Sequence, residues 1–486
     1  MIMKRAVKRA LALGLTFSMV LAMCVGCGGK DMTNNDVNDV EWEDDTQNAD
    51  SNSYNPYANS DFDVTTAEMP TRELENKVIT YYSWTSLEEE LNADTYGAKS
   101  LLNIMQKEFG VTFEQVAVGT HENYWSTLAT LIASGNAPDI VKLPNWNCYP
   151  APVSMDLLQP LDDLIDFSNP IWDDTKEARE AHKWNGKTYI PYAWEQLHSW
   201  FFYNKQMFKD YGLSNQTPYD LWKEDKWTWE AMEDLANQFV KKDASGEVVQ
   251  WGMAMQNTDL LAATGLELVD TEGNFNIKDS KVATLMNMVY DMSSAGTGAM
   301  APDDAVNLFK DGKVAMCTTT AYAMLYELND MRLNDNLGWV PLPKMDENSE
   351  YYNQTRLEPG FAICKGASNP EAAALFIEMH KWYYTGYSFD SSLPRAQQNA
   401  CMLEYKIGKN YLDKERRLSE EEIDYTMQFI NQKYKNISIG WQGWLDTQTV
   451  PGFSDVVNGM ANWSTTLEKI FPANQATINS YLSNKE

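Results

Sequence analysis

Apolar and polar positions alternate most legibly between Tyr124 and Trp146, in YWSTLATLIASGNAPDIVKLPNW. Leu128, Leu131 and Ile132, with Trp125 one turn earlier, fall on one face at helical spacing. Gly135 supplies the left-handed residue that ends a helix, and Pro138 blocks its continuation. Asp139-Ile140-Val141 then opens a short apolar run suited to a buried parallel strand. A polar and aromatic loop follows at Pro144-Asn145-Trp146. In open α/β sheets ligands sit outside the carboxyl ends of the strands, which makes Asn145 and Trp146 candidate ligand contacts. The same pattern suits a βα unit of many an α/β enzyme.

The flanking pattern extends this unit. Val78-Ile79-Thr80-Tyr81-Tyr82 is β-branched and aromatic and reads as a strand ending in Ser83-Trp84. A helix is expected over Ser100 to Phe109, with Leu101, Ile104, Met105 and Phe109 on its apolar side, and Val111-Thr112-Phe113 gives a second strand. Leu157 to Ile165 reads as a short amphipathic segment. The order β-α-β-α-β predicts a mostly parallel sheet with helices on its faces. Further on, Asn185-Gly186-Lys187 is a hairpin-type turn and Trp200 to Tyr203 an apolar strand. Thr228 is a good N-cap for a helix carrying Met232, Leu235, Ala236 and Phe239. Val314 to Cys317 and Gly360 to Cys364 read as strands. Asn369 is expected to cap a helix with Pro370 at its first position and Ala372, Leu375, Phe376 and Met379 on its core face. Loops and helices are expected from Gln442 to Glu486.

A chain of 486 residues suggests two or three domains. Its first 27 residues stand apart. Lys4, Arg5, Lys8 and Arg9 precede the apolar run Ala10 to Met23, the pattern of an export signal and too short to span a bilayer comfortably. Cys27, preceded by Gly26 and followed by two glycines, resembles the lipidated cysteine of a bacterial lipobox, although Cys24 stands where such boxes carry Leu. Two or more acyl chains on Cys27 would hold the protein on a membrane; the alternative is ordinary signal cleavage with a free thiol. Residues 28–73 are acidic, polar and aperiodic, and read as a disordered tether. The formal charge is −30, more negative once the basic leader is removed, which argues against nucleic acid and anionic lipid surfaces. Cys148, Cys317, Cys364 and Cys401 are expected to be buried free thiols; their spacing suits no zinc site.

ASGNAPDIV, NGKTYIPYAWE, YNKQMF, WTWEAMEDLA, FKDGKVAM and the helix after Asn369 fall in an order that resembles family 1 extracellular solute-binding proteins, the maltose-binding-protein-like carbohydrate receptors of ABC importers. The resemblance covers about residue 74 to the C-terminus. It implies an α/β, type II periplasmic-binding-protein-like fold, with two mixed, mostly parallel sheets joined at a hinge. Lobe one would be 74–191 plus 357–386, lobe two 192–356 plus 387–486, with crossings near Tyr192, Leu357 and Gly386. It further implies a monomer on the outer face of the membrane, held by its lipid alone. That monomer would capture a neutral carbohydrate and deliver it to permease subunits, with no cofactor and no chemistry performed.

The chain has 17 Trp and 25 Tyr. Sugars present apolar CH faces on which aromatic rings stack, and a rim of hydroxyls for carboxylates and amides. Trp84 and Trp146 follow strands of lobe one and would face the cleft, or else fill the core. Glu195, beside Trp194, occupies the position where maltose-binding relatives carry a sugar-binding carboxylate. Tyr322 stands where relatives place a stacking Trp. Trp441 and Trp444, in a Gly-interrupted loop, Asn257, after the Trp251 to Gln256 strand, and Arg395 complete the candidate ligand contacts. An exported glycoside hydrolase would share aromatic clefts but needs two carboxylates flanking one bond, and no pair stands out. GxSxG and HExxH are absent, and His121, His182, His198 and His380 lack ligand spacing, so no metal is expected. A receptor for peptides or polyols on the same fold stays open.

Overall fold

The computed structural model describes residues 68–483 apart from 92–100, 121, 145–146, 256–258, 271, 295–297, 302–304, 321–322, 325–326, 385–418, 420–421, 423–424, 427–433 and 436–449, together with 485. Two sheets organise the described chain. The first has the order β10-β3-β1-β2, built from β1 (Val78–Ser83), β2 (Thr112–Val118) and β3 (Ile140–Lys142), which run parallel, and β10 (Phe361–Ile363), antiparallel to β3. Successive side chains of a strand point to opposite faces, and here each face has its own core. Ile79, Tyr81 and Ile140 face one apolar cluster, while Tyr82 and Val141 face the other.

One face is covered by α1 (Tyr124–Ala133), which buries Tyr124, Trp125 and Leu128. Its end is the expected one: Gly135 has φ +77°, its N–H donates to the Ile132 carbonyl, and the Asn136 N–H reaches back to Leu131. That pair of bonds is a Schellman motif, which a residue with Cβ would strain.

The opposite face is covered by a long helix, Pro370–Tyr384, on which Ala372, Leu375, Phe376 and Met379 are fully buried. Phe376 meets Phe113 and Phe361 at ring distances of 5.2 and 4.9 Å. Asn369 stands at the N-cap position as expected, its carbonyl accepting the Ala373 N–H, and its side-chain Nδ2 donates to the carbonyls of Asn76 and Val78. Asp139 fixes the same corner. Its Oδ2 accepts from the Thr80 N–H and hydroxyl at 2.8 and 2.7 Å, and its Oδ1 from the Asn369 N–H at 2.7 Å. A carboxylate one per cent exposed is thereby satisfied by donors from two segments, Thr80 and the Ser368-Asn369 turn, as burial demands.

The second sheet runs β11-β9-β4-β7-β6-β5, with β8 also against β4. Its centre is the eleven-residue β4 (Trp194–Asn204), six residues longer at its start than the apolar run Trp200 to Tyr203 suggests. Pairing with β9 (Asn353–Glu358) recruits those six residues. The far half of β4 pairs with β8 (Leu337–Val340) and, on its other side, with β7 (Val314–Thr320). β6 (Val248–Ala254) is parallel to β7 and antiparallel to the two-residue β5 (Lys241–Lys242), and β11 (Tyr434–Lys435) is parallel to β9. Trp200, Phe201, Phe202 and Tyr203 are completely buried.

Helices α2 (Trp229–Gln238) and α3 (Ser280–Ser293) pack in the same core; the Thr228 hydroxyl accepts the Ala231 N–H as an N-cap should. After the Pro370–Tyr384 helix, α4, come α5 (Val450–Val457) and α6 (Trp463–Leu482), which pack on α3. The Leu157 to Ile165 segment forms turns and, as its amphipathic pattern implies, buries Leu157, Leu158, Leu161 and Ile165. Cys148, Cys317 and Cys364 are buried and free, as expected; Cys401 lies outside the described residues.

Candidate functional site

The chain passes from the first sheet to the second at Tyr192-Ala193 and returns at Glu358 to Phe361, and the two passages touch. Tyr192 has φ +49° and Gly360 +73°, and the Ala193 N–H donates to the Glu358 carbonyl at 2.8 Å. The carboxyl ends of β1 and β3 open beside this double crossing, and there the described site residues gather.

Trp84 follows β1 directly. The Nζ of Lys142, last residue of β3, lies 4.3 Å from its ring centroid, and the edge of Tyr124 meets it at 5.5 Å. Tyr124 is itself fixed. Its hydroxyl donates to the Lys142 carbonyl at 2.8 Å, its own carbonyl accepts from the Tyr82 hydroxyl at 3.0 Å, and the two tyrosine rings stack at 4.7 Å. The packing is close enough to require Gly119: a Cβ there would sit 2.3 Å from the Tyr124 ring. Trp125 Nε1 donates to the Asn147 carbonyl and so ties α1 to the loop after β3.

Trp194 begins β4 and stacks on His380 of α4 at 5.4 Å, nearly parallel; Phe361 meets the same imidazole edge-on at 5.0 Å. Burial, with the ammonium groups of Lys142 and Lys381 nearby, pushes the His380 pKa down to about 3, so the ring is neutral at any physiological pH. Lys142 thus acts on both partners, lying on Trp84 and repelling a proton from the imidazole under Trp194. Next to it Lys381, with no exposed side-chain surface, donates to the Ala193 carbonyl at 2.5 Å and to Asp174 at 2.6 Å. Burial lowers its pKa to about 8 against the opposing pull of Asp174.

On the second sheet the Ser199 hydroxyl donates to Asp259 at 2.6 Å and lies 3.0 Å from the Gln354 side-chain amide. Asp259 is two per cent exposed and stands just beyond the carboxyl end of β6. Burial, with the charge of Asp259 beside it, raises the Cys317 thiol pKa well above normal, which leaves that thiol protonated and inert.

Of the candidate contacts, Trp84 and Trp194 are thus brought to one region, joined through Lys142 and His380. Glu195 is placed on β4 opposite Leu357, and its side chain is not among the described groups. Asn145, Trp146, Asn257, Tyr322, Arg395, Trp441, Trp444 and Cys27 lie outside the described residues. Sequence reasoning passed over Lys142, Tyr124, Asp259 and Lys381, and took His380 for an isolated histidine. Among the described residues no group of three or more His, Cys, Asp or Glu could hold a metal ion, and no helix is long and apolar enough to cross a membrane. The two most buried acids here, Asp139 and Asp259, are both engaged by hydroxyl donors. Beside its aromatic surface the region holds the neutral His380 and the cations Lys142 and Lys381, the latter paired with Asp174.

The family model described as bacterial extracellular solute-binding protein matches residues 92–383. Solved structures of similar architecture include an ABC substrate-binding protein from Listeria monocytogenes in complex with cycloalternan, 18% identical, with a TM-score of 0.54 over 84% of this chain and 99% of that one. A maltose/maltodextrin-binding domain from Bdellovibrio bacteriovorus bound to maltotriose is 14% identical, TM-score 0.53, over 83% and 100%. The GacH receptor of Streptomyces glaucescens, solved unliganded and with acarbose, is 16% identical, TM-score 0.53, over 84% and 99%. No curated protein sequence matches.

Proposed function

The chain belongs to the bacterial extracellular solute-binding proteins, and on that premise we propose that it captures a neutral carbohydrate, an oligosaccharide by preference, for an ABC importer. Its fold is the two-lobed, type II one. The observation that carries the ligand class is the presence of two indoles by the double crossing, Trp84 under the Lys142 ammonium and Trp194 on the neutral His380 imidazole. Two indoles offer flat faces for sugar CH groups, and relatives of the same fold were solved with cycloalternan and maltotriose.

In this reading the lobes are 74–191 plus 357–386 and 192–356 plus 387–486. The hinge lies at the double crossing and near Gly386. Ligand engages both lobes only when they close and so shifts the population toward the closed form, which the permease subunits recognise. Micromolar affinity corresponds to about −8 kcal/mol, a reasonable net for stacking and hydrogen bonds after closure. Glu195, Asn145, Trp146, Asn257, Tyr322, Arg395, Trp441 and Trp444 supply the remaining contacts. The protein is a monomer without cofactor. Its leader is cleaved, Cys27 carries the lipid, and residues 28–73 lift the body off the membrane, a coil whose reach is roughly 30–40 Å.

A thermal-shift screen of the purified chain against neutral mono- and oligosaccharides, with product analysis of each mixture, tests this. Ligand at a hundredfold excess over Kd stabilises by about 2.7 kcal/mol through mass action. A shift with one sugar class, the sugar intact, is the expected result. Cleaved sugar would move the protein to the glycoside hydrolases. Shifts only with peptides, polyols or metals would end the carbohydrate assignment.

A further inference from the structure

β3 is Ile-Val-Lys, and its last residue breaks an otherwise apolar, fully buried strand. Lys142 is only nine per cent exposed. A methionine would fill that space without the cost of burying an ammonium, so the charge calls for an explanation at this position. One contact of the ammonium supplies it, and two of the backbone frame that contact. The ammonium lies over the Trp84 ring at 4.3 Å. The backbone carbonyl of the same residue accepts from Tyr124 Oη, and the edge of Tyr124 meets Trp84 at 5.5 Å. Phe361 of β10 lies opposite in the ladder and holds the lysine backbone in register. Lys142 therefore meets the indole through its charge, while its main-chain carbonyl, which any residue would supply, holds the tyrosine beside it. Trp84 sits just past the end of β1, where a tryptophan without such a grip would sample several rotamers.

We infer that Lys142 is a positioning residue for ligand capture, pinning the Trp84 ring in one orientation before a sugar arrives. This rests on the carbohydrate reading above. The cation lies over the ring, so its contribution is preorganisation: an aromatic side chain already immobilised has less entropy to lose on binding. A guanidinium would serve in its place, since arginine also lies flat on indoles; a neutral chain of equal length would not.

The test is titration calorimetry of the full chain with the oligosaccharide class that shifts wild type most, in four variants: Lys142→Met, Lys142→Arg, Trp84→Leu and the Lys142→Met/Trp84→Leu double. Melting temperature is recorded for each to confirm folding. The expected result is a threefold to tenfold weaker Kd for Lys142→Met, the fold-change for freeing one side chain's rotamers, and recovery in Lys142→Arg. In the Trp84→Leu background Lys142→Met has no further effect. A merely structural lysine would weaken both backgrounds alike and would shift melting along with affinity. An equal loss in both backgrounds overturns the inference, as does an unchanged Kd in Lys142→Met while wild type binds. Wild type that binds no saccharide overturns the carbohydrate reading, and the inference falls with it.

Discussion

Lys381 and Asp174 form an ion pair that touches the crossing between the two sheets, and it makes a quantitative prediction. The lysine has no exposed surface, while half of the Asp174 side chain is exposed. Ala193, whose carbonyl shares the ammonium, is the residue just before β4. In Asp174→Asn the buried charge keeps the carbonyl but loses its counter-ion. Breaking a fully buried pair costs 3–5 kcal/mol; with one partner half in water, about 1–2 kcal/mol is the appropriate scale.

The pH dependence separates this from generic damage. The folded chain holds Lys381 at about 8, below the usual 10.5, so between those values the unfolded chain binds more protons and wild-type stability rises with pH. At 1.36 kcal/mol per pH unit this amounts to roughly 3 kcal/mol across the window. Asp174→Asn lowers the folded value further, so its cost is complete near pH 6 and fades as the wild-type lysine itself loses its proton above 8. Urea unfolding of wild type and Asp174→Asn at pH 6 and pH 9.5 should therefore give a difference of 1–2 kcal/mol at the lower pH and little at the higher. Equal differences at both values, or none at pH 6, would refute the assignment of a buried charged lysine at the crossing.

Three further outcomes follow from the same geometry. Trp84→Ala and Trp194→Ala should each weaken saccharide binding about tenfold in calorimetry, the scale of one lost aromatic contact plus its buried area. Asp139→Ala strips a buried carboxylate from the donors of Thr80 and Asn369 and should cost roughly 3 kcal/mol in urea, because charged hydrogen bonds are worth 1.5–3 kcal/mol each. Cys27→Ala should release the protein into the aqueous phase of a detergent partition, whereas Cys24→Ala should leave it in the detergent; the reverse would place the lipid on Cys24.

The parts of this molecule that could be read from sequence are those whose cause is local. Gly135 ends α1 because its own φ is positive, and Thr228 caps α2 through an amide three residues away; neither depends on the rest of the chain. The start of β4 was hidden because Trp194 to Ser199 is not a strand by pattern. It is one because Asn353–Glu358 arrives from more than 150 residues later to pair with it. The site falls mostly on that non-local side. Trp84 was legible as an aromatic after a strand, but its partner Lys142 lies in another β-strand 58 positions on, and nothing in VKLP announces a cation–π contact.

His380 is the intermediate case, and the most instructive. The apolar face read for α4 includes Ala372 and Phe376, and the next position at that spacing is 380. A histidine on that face had to be buried, and a buried imidazole is neutral and in need of ring or hydrogen-bond partners. The helix pattern was therefore sufficient to place His380 inside; what it could not provide was that Trp194, from the first crossing, would be the ring it meets. A residue's environment follows from its own element, but its partner is set by the topology that brings a second element alongside. Binding sites on folds of this kind, assembled where two sheets exchange chain, are made of partners, which is why aromatic counts pointed to a ligand class while the residues that orient those aromatics came into view only with the fold.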